Sequence, residues 1–378
     1  MKSSFHLVRI FGIDIGLHYT WIFIFILVAW SLAEGYFPDA YPDWSTDTYW
    51  GTGILASLLL FVSVLIHEMA HSLVGRARGM PVHSITLFLF GGVSNLEEEP
   101  KEAKSEFLMS VVGPLSSLLL AGIFWGIWLT LSGPEGPLGA TIEYLAVINA
   151  LLAGFNLIPA FPLDGGRVLR SILWGTTGSL SRATNVASMA GIGIGWLLIA
   201  FGVFQVLGGA FLGGLWIAFI GWFLSSAAES SRRQLTMHEY LSGVPVSRIM
   251  TQSPESVHPD TSVEKVVRDR FLEQHHRAIP VCENSHPMGI VTITDIKKVP
   301  QENWASTRVR DIMPQRELQT ISPQEDAEKA FKLLAENDIN QLLITENGQC
   351  NGMVSRSGIL NYLHFQKELG MKPGTQAH

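Results

Sequence analysis

Long apolar runs dominate the first 228 residues of the chain, whereas Lys, Arg, Glu and Asp are spread throughout the remainder, as in a soluble domain. A helix needs about 20 apolar residues to cross a bilayer. Six segments meet this requirement and predict membrane-spanning helices at residues 17–35, 51–74, 106–132, 139–160, 186–206 and 211–228. We interpret the first as a retained helix rather than a signal peptide, because other spans follow it.

The charge of the loops predicts the orientation of these helices, since Lys and Arg stay on the cytoplasmic side. The first loop, "EGYFPDAYPDWSTDTYW", has four acids and no Lys or Arg, and the third, "SGPEGPLG", also has neither cation. Basic residues occupy the other loops and the end of the last span: Arg76, Arg78, Lys101, Lys104, Arg167, Arg170, Arg182, Arg232 and Arg233. The alternation predicts a multi-pass protein of the cell membrane with both termini and the soluble half in the cytoplasm.

The composition agrees with a membrane protein, because 47% of residues are hydrophobic and only 16% are charged. A soluble domain carries about 25% charged residues. The net charge of −7 comes without a basic block, so nucleic acid is not an expected partner. Cys282 and Cys350 match no metal or redox spacing, and we interpret them as free thiols in a reducing compartment.

The segment "HEMAH", residues 67–71, matches the pattern H-E-x-x-H inside the second predicted span. Residues four apart on a helix lie about 40° apart around its axis, so His67 and His71 face one way and can bind one Zn²⁺. Glu68 lies beside them, where a general base rather than a ligand is expected. Unpaired ionisable groups are costly within a membrane, which favours a metal site over a chance match.

A catalytic zinc usually has three protein ligands, so one more residue is needed. Val74 and Ala77 occupy the positions where the extended pattern H-x-x-G-x-x-H would have Gly and His. Glu106 and Glu143 are expected to start helices at solvent. The predicted third ligand is therefore Asp164, in "FNLIPAFPLDGGR", which follows the fourth span at the same cytoplasmic depth. A helix cap or an ion-pair partner is the alternative role for this carboxylate.

The membrane half resembles the site-2 proteases, which are intramembrane zinc metalloproteases. The segments that carry the resemblance are "HEMAH", "NLIPAFPLDGGR", "LFLFGGVS" and "GPLSS". The resemblance implies that His67, His71 and Asp164 bind zinc and that Glu68 is the catalytic base. It also implies that Asn156 is a buried amide near the metal, where it holds the substrate backbone or the developing oxyanion. An interhelical hydrogen bond is the alternative for Asn156.

The implied activity is metal-assisted hydrolysis, in which zinc lowers the pKa of a water and Glu68 carries its proton to the leaving amine. A substrate helix must unwind first, because its carbonyls are hydrogen-bonded within the helix. Residues 82–96 are predicted to form a hairpin that turns at Gly91-Gly92, and the resemblance implies that it clamps extended substrate by strand addition. A purely structural hairpin is the alternative. The implied substrate is a transmembrane protein, such as an anti-sigma factor or a membrane-bound transcription factor precursor.

The soluble half is an internal repeat, because residues 246–300 and 309–363 align without a gap. "VSRIMT" matches "VRDIMP", and "GIVTITDI" matches "GMVSRSGI". Each copy is predicted to contain a helix, two strands and another helix. The repeat resembles a tandem pair of CBS domains, which implies a folded α/β module, a homodimer formed through it, and adenine nucleotide binding.

The nucleotide signature of that family is Gly, then Ser or Thr three residues later, then Asp three after that. Gly289, Thr292 and Asp295 match it in the first copy, whereas the second copy has Gly358 in place of the aspartate. Thr292 and Asp295 are therefore the predicted contacts of ATP or a related nucleotide. A plain helix cap is the alternative for Asp295.

The predicted fold is a polytopic α-helical membrane domain of about six transmembrane helices with a membrane-associated β-hairpin, followed by a cytoplasmic α/β tandem CBS module. The predicted boundaries are 1–228 for the protease domain, 229–243 for a linker, and 244–302 and 303–378 for the two CBS domains, the second with a C-terminal tail. The predicted function is a zinc endopeptidase that cleaves transmembrane segments and is modulated by nucleotide. The alternative is an ion channel or transporter gated by CBS domains.

Overall fold

The structure is a computed structural model that describes residues 4–88, 91–96, 100–131, 136–273, 277–284, 286–314 and 318–371. The chain divides into two compact units, Met1–Arg233 and Gln234–His378. This division follows the change from apolar to mixed sequence described above.

Among the described residues, six helical segments are long and apolar enough to cross a membrane, which confirms the predicted number. The first, Thr20–Ala40, consists of α1 (Thr20–Ser31), a π-helical turn and α2 (Phe37–Ala40). The helices that follow are α3 (Thr46–Ala77), α4 (Ala103–Thr130), α5 (Pro137–Asn156), the shorter α6 (Asp164–Thr177), α7 (Leu180–Leu207) and α8 (Phe211–Leu241).

A four-stranded sheet packs against α3, and only half of it was predicted from the sequence. Its strands lie in the order β1 (Ser4–Ile10), β2 (Ile13–His18), β3 (Val82–Phe88) and β4 (Gly91–Leu96), and β2 pairs with β3 in parallel. Ile13, Ile15 and Ile85 are buried in one cluster with Met69 of α3. The N-terminal hairpin was missed because its short strands precede a long apolar run that dominates the pattern.

The position of the turn in the predicted hairpin was wrong. Gly91 pairs with Phe88 and Gly92 pairs with Leu87, so both glycines belong to β4 rather than to the turn. The residues between the two strands, 89 and 90, lie outside the described part of the chain. Gly92 has a packing role instead, because a Cβ atom there would lie 2.3 Å from Cγ of Glu68.

The segment between α5 and α6 is non-helical and passes close to its neighbours. A Cβ atom on Gly165 would lie 2.3 Å from the carbonyl oxygen of Leu157, and one on Gly191 would lie 2.0 Å from the carbonyl oxygen of Phe161. The backbone N–H of Phe161 donates to the carbonyl of Ala187 in α7 over 3.2 Å. Irregular backbone at membrane depth is tolerated where protein surrounds it, and these contacts supply that surrounding.

The second unit contains the predicted α/β repeat. The first copy contains β5 (Thr251–Gln252), α9 (Val263–Val266), β6 (Ala278–Glu283), β7 (His286–Thr292) and α10 (Ile293–Ile296). After α11 (Val309–Ile312), the second copy contains β8 (Thr320–Ile321), α12 (Ala327–Glu336), β9 (Gln341–Glu346), β10 (Gln349–Ser355) and α13 (Arg356–Glu368).

The first copy contributes a strand to the sheet of the second, since β5 pairs with β10. Each copy has its own apolar core. Val263, Ile279 and Val291 are fully buried or nearly so in one core, and Leu334 and Leu342 are fully buried in the other. In each copy, the first strand of the hairpin (β6 or β9) has consecutive buried residues, and the second (β7 or β10) has two buried residues two positions apart.

Candidate metal centre

Helix α3 presents His67 and His71 to the interior of the membrane unit. The helix is capped by Ser45, whose hydroxyl accepts a hydrogen bond from the N–H of Thr48 over 3.3 Å. Both histidines are buried, and their Nε2 atoms lie 3.2 Å apart. The i, i+4 spacing therefore places the two imidazoles together, as the sequence pattern predicts.

Asp164, the first residue of α6, reaches the same point from a distant segment. Its Oδ2 atom lies 3.0 Å from Nε2 of His67 and 3.1 Å from Nε2 of His71. Within the described residues, these three side chains form the one group of His, Cys, Asp or Glu whose ligand atoms lie close enough to hold a metal ion.

Hydrogen bonds on the far side of each ring orient the two histidines. Nδ1 of His71 donates to the backbone carbonyl of Met109 over 2.6 Å, and Nδ1 of His67 lies 2.9 Å from the hydroxyl of Ser117. A carbonyl can only accept, so the proton of neutral His71 is on Nδ1 and the lone pair of Nε2 faces the centre. Such outer partners are typical of metal-bound histidines, because they hold the ring and its tautomer.

Gly113 of α4 makes room for the two rings. A Cβ atom at this position would lie 2.1 Å from Nε2 of His71 and 2.7 Å from Nε2 of His67. The helix that supplies the partners of both Nδ1 atoms, at Met109 and Ser117, thus also forms one wall of the centre. Any side chain at residue 113 would fill the space into which the ligand atoms point.

The residues present fit a zinc ion. Zinc binds histidine nitrogen and carboxylate oxygen at about 2.0–2.2 Å, so neighbouring ligands of a tetrahedral site lie about 3.3–3.5 Å apart. The three ligand atoms of this centre are separated by 3.0, 3.1 and 3.2 Å. Three protein ligands leave a fourth position open, which is typical of catalytic rather than structural zinc.

The charge state of Asp164 also suits a metal ligand. Burial by itself would raise the pKa of this carboxyl, but hydrogen bonds with His67 and His71 hold its pKa well below the usual range. The carboxylate is therefore charged at neutral pH, which is the form that binds a cation.

Glu68 lies beside the three ligand atoms without being one of them. Its side chain lines the same cavity as His67 and His71 and packs against the backbone of β4 at Gly92. The edge strand of the sheet therefore runs directly past this carboxylate.

Asn156, the last residue of α5, lines the cavity as well. Its Nδ2 atom donates to the backbone carbonyl of Leu152 over 3.0 Å. This bond is made within α5 rather than to another helix. The neighbouring amide of Asn149 is fully buried and donates to the hydroxyl of Ser63 in α3, so it holds two helices together.

A large, mostly apolar cavity of about 1070 Å³ opens onto the centre. It is bordered by side chains of α1, α3, α5 and α8, among them Ile24, Phe61, Leu152 and Phe223. The ionisable and amide side chains of its wall are His67, Glu68, His71, Asn156, Asp164 and Arg167. The cavity is therefore suited to a segment that is apolar along its length and is brought to the metal ligands.

The position of Glu106 differs from the expectation, because this carboxylate does not lie at solvent. It is 1% exposed and pairs with Arg170 of α6, whose Nε donates to Oε1 over 2.6 Å. The guanidinium of Arg170 also lies over the ring of Phe161, 5.0 Å from its centroid. This pair connects α6, which begins with Asp164, to α4, which contains Gly113.

A signal for the burial of Glu106 was present in the sequence. Glu106, Ser110, Gly113 and Ser117 recur at helical spacing and all lie on the buried face of α4. Because these residues are polar or small, that face of α4 resembles an exposed face in the sequence.

Thr292 and Asp295 of the second unit are engaged with each other. The hydroxyl of Thr292 donates to Oδ2 of Asp295 over 2.6 Å, and that oxygen also accepts from the N–H of Thr292 over 3.1 Å. Lys298 pairs with the other carboxylate oxygen over 3.0 Å. The two residues form a capping box at the start of α10, with Thr292 rather than Asp295 as the cap.

Comparison with protein-family models gives two matches. The model of peptidase family M50 matches residues 55–141 and 134–200, and the model of the CBS domain matches residues 246–302 and 309–365. The first match contains all three candidate ligands, and the second coincides with the internal repeat.

Two curated relatives that are named zinc metalloproteases match over nearly their whole length. The chain is 34% identical over 364 residues to a protein named as a zinc metalloprotease, Rip3 of Mycobacterium tuberculosis, covering 95% of this chain and 92% of that one. It is 30% identical over 380 residues to zinc metalloprotease MJ0392 of Methanocaldococcus jannaschii, covering 98% and 99%. Among solved structures, it matches the site-2 protease from Methanocaldococcus jannaschii at 28% identity and a TM-score of 0.44, covering 61% of this chain and 96% of that one.

Proposed function

The chain belongs to peptidase family M50, the zinc metalloproteases, and carries a tandem CBS pair; from this premise we propose that it cleaves the membrane-spanning segments of other membrane proteins. This activity is regulated intramembrane proteolysis. Membership of a protease family favours it over the alternative of a channel gated by CBS domains.

The observation that carries the proposal is the position of the hydrolytic groups. His67, His71, Asp164 and Glu68 line an apolar cavity bordered by helices that are long and apolar enough to cross a bilayer. An apolar cavity between membrane helices offers no advantage for binding a soluble peptide. It does suit an apolar transmembrane segment, whose side chains can stay in contact with apolar surface. The peptide bond to be cut therefore comes from within the membrane or from its edge.

We assign His67, His71 and Asp164 as the ligands of one zinc ion per chain. Zinc at this position supplies Lewis acidity and a water of lowered pKa. The chain would hold the ion through these three side chains, and the hydrogen bonds of the two rings with Met109 and Ser117 would keep them oriented. An orientation fixed before the reaction avoids reorganisation while it proceeds.

Glu68 is assigned the role of general base and then general acid for the proton of the attacking water. As a carboxylate beside the ligands, it accepts a proton from the attacking water and returns it to the leaving amine. Its position against β4, in the wall of a mostly apolar cavity, limits its contact with bulk water. Asn156 is assigned to the substrate, where its amide holds a main-chain group or the developing oxyanion.

Strand β4 is assigned the capture of the unwound substrate. It lies at the edge of the described sheet and passes Glu68 at Gly92. An edge strand has unpaired N–H and C=O groups, which can pair with an extended peptide. The substrate would then lie parallel to the row of catalytic groups, with its scissile bond at the metal.

The basic residues in alternate loops support an orientation in which the site lies toward the cytoplasmic side of the cell membrane. The expected substrate is a protein with a transmembrane segment, such as an anti-sigma factor or a membrane-bound transcription factor precursor. Cleavage near that side would release a cytoplasmic fragment.

The test is cleavage of a model transmembrane substrate by the purified full chain in detergent, with Glu68→Gln as the diagnostic variant. Loss of a general base lowers the rate by about 10²–10⁴-fold. The variant is expected to keep one zinc per chain by metal analysis, because Glu68 is not a ligand. Cleavage at the wild-type rate by Glu68→Gln would overturn the assignment.

We further propose that the CBS pair adjusts the activity through ATP or another adenine nucleotide and joins two chains into a homodimer. Nucleotide at the first copy would contact Thr292 and Asp295 and would have to compete with their mutual hydrogen bonds. The test compares cleavage with and without ATP in wild type and in Asp295→Ala. Equal rates in the wild type under both conditions would remove the regulatory proposal and leave the protease untouched.

A further inference from the structure

One charged side chain in the cavity has no assigned role. Arg167 lines the cavity together with Glu68 and Asn156, and it is the one lysine or arginine among the described residues of that lining. It lies one turn beyond Asp164 on α6, on the same side of the helix. A cation in the wall of an apolar cavity is expensive unless it serves a partner.

The charge of Arg167 acts on the Glu68 carboxylate across the cavity, but the two groups are not in direct contact. No hydrogen bond or ion pair of its guanidinium is formed with any residue from the described ranges. Arg170, one turn further along the same helix, is the opposite case, since it is buried, paired with Glu106 and stacked on Phe161. Helix α6 thus has one arginine that holds the fold together and one that is left facing the cavity.

An extended substrate brings groups of the kind that Arg167 can bind. When a helix unwinds, its carbonyl oxygens lose their partners, and a buried carbonyl without a partner is costly. Pairing with β4 satisfies only the groups along one edge of the substrate strand, because alternate residues of a strand direct their N–H and C=O groups to opposite edges. The groups on the other edge need donors from another wall of the cavity.

We infer that Arg167 donates hydrogen bonds to main-chain carbonyl oxygens of the unwound substrate, on the edge that faces away from β4. This inference rests on the proposed function. A guanidinium suits the task, because it presents five N–H donors in a planar fork and keeps its charge at any working pH. Recognition of the main chain rather than a side chain also suits a substrate segment made of apolar residues.

The experiment measures binding, so that it does not depend on turnover. In the full chain carrying Glu68→Gln, the affinity for a model transmembrane peptide is compared with that of Glu68→Gln/Arg167→Met. A charge-assisted hydrogen bond corresponds to a loss of about tenfold to hundredfold in affinity. Arg182→Met in the same background is the matched control, because Arg182 is exposed and is not among the described residues of the cavity wall.

A thioamide scan of the peptide identifies the group that is bound. Sulfur is a weaker acceptor than oxygen, so thioamide substitution at one or two positions near the scissile bond should weaken binding to Glu68→Gln by about tenfold. The same substitution should have no effect once Arg167 is Met, and Arg167→Lys should retain part of the sensitivity. Zinc content and unfolding temperature, measured for each variant, show that the centre and the fold are intact.

Identical thioamide profiles with and without Arg167 would overturn the inference. So would a loss of affinity that depends on an Asp or Glu in the peptide and disappears when that residue is Asn or Gln, because Arg167 would then bind an acidic side chain. Cleavage by the wild type tests the proposed function separately, so failure of one leaves the other standing.

Discussion

The metal centre of the membrane unit and the Thr292–Asp295 pair of the CBS unit are built in opposite ways. His67 and Asp164 are separated by 97 positions in the chain, yet their side chains meet over 3.0 Å. Thr292 and Asp295 are three positions apart and satisfy each other within one turn. Both groups were read from the sequence as binding sites.

The difference teaches how much a polar group implies about function. A capping box at the start of a helix is explained by the helix alone, and it stabilises by about 1 kcal/mol. Two histidines and a carboxylate, brought from separate helices into an apolar interior, gain little unless a ligand joins them. The long-range group is therefore the stronger evidence for a bound partner.

The largest expected effect on ligand binding tests whether the centre is shaped for a metal. Gly113→Ala places a methyl group where the ligand atoms converge, so zinc affinity should fall by about a hundredfold or more. Metal analysis after dialysis against a weak chelator measures the loss. Gly122→Ala is the control on the same helix, because a Cβ atom there has open space. Full zinc retention in Gly113→Ala would mean that the centre is not formed by these side chains.

A second prediction concerns a long-range polar contact that needs no ligand. Arg170→Met leaves the Glu106 carboxylate buried without its main partner, which should lower the free energy of unfolding by about 3–5 kcal/mol. Unfolding in detergent is the measurement. Arg233→Met, which breaks an exposed pair with Glu229, should have no measurable effect. Equal unfolding curves for both variants would contradict the structural role given to the buried pair.

The local pair is expected to matter less. Asp295→Ala removes the reciprocal bond of the capping box and should cost about 1 kcal/mol of stability in the second unit. The second copy allows the opposite substitution. There Ser355 caps α13, and Gly358 occupies the position that corresponds to Asp295. Gly358→Asp should stabilise that helix start by about 0.5–1 kcal/mol. Thermal unfolding of the CBS unit within the full chain measures both changes. A lower stability of Gly358→Asp would contradict the equivalence of the two helix starts.

The smallest effect concerns a contact at the end of the first span. The hydroxyl of Tyr41 donates to Oε2 of Glu143 over 3.0 Å, and burial, together with Glu143, raises the pKa of Tyr41 to about 12. The stability from this contact is therefore present below the ordinary pKa of 10.0 and is lost as the pH rises toward about 12. Tyr41→Phe should cost about 1 kcal/mol at neutral pH and flatten the alkaline loss.

Tyr19→Phe is the control for that titration, since Tyr19 is largely exposed. Unfolding is measured at several pH values between 8 and about 12 for both variants. An alkaline loss that is unchanged in Tyr41→Phe would show that another group is responsible.

Several features were predictable because they follow from short-range patterns. The number of spans follows from apolar length, and the pairing of His67 with His71 follows from helical spacing. The repeat was evident from its fixed period. Glu106 was misjudged, because a carboxylate in the first turn of a helix looks like an exposed residue until its partner Arg170 is known.

The sequence alone determined which residues are costly in a membrane, and hence that His67, Glu68 and Asp164 needed an explanation. Only the tertiary structure decided how that cost is met, because the partners are set by helix packing. Gly113 leaves the space, Met109 orients a ring, and Arg167 is left facing the cavity. Local spacing specifies the direction of a side chain on its own helix, but the group opposite depends on contacts between distant segments.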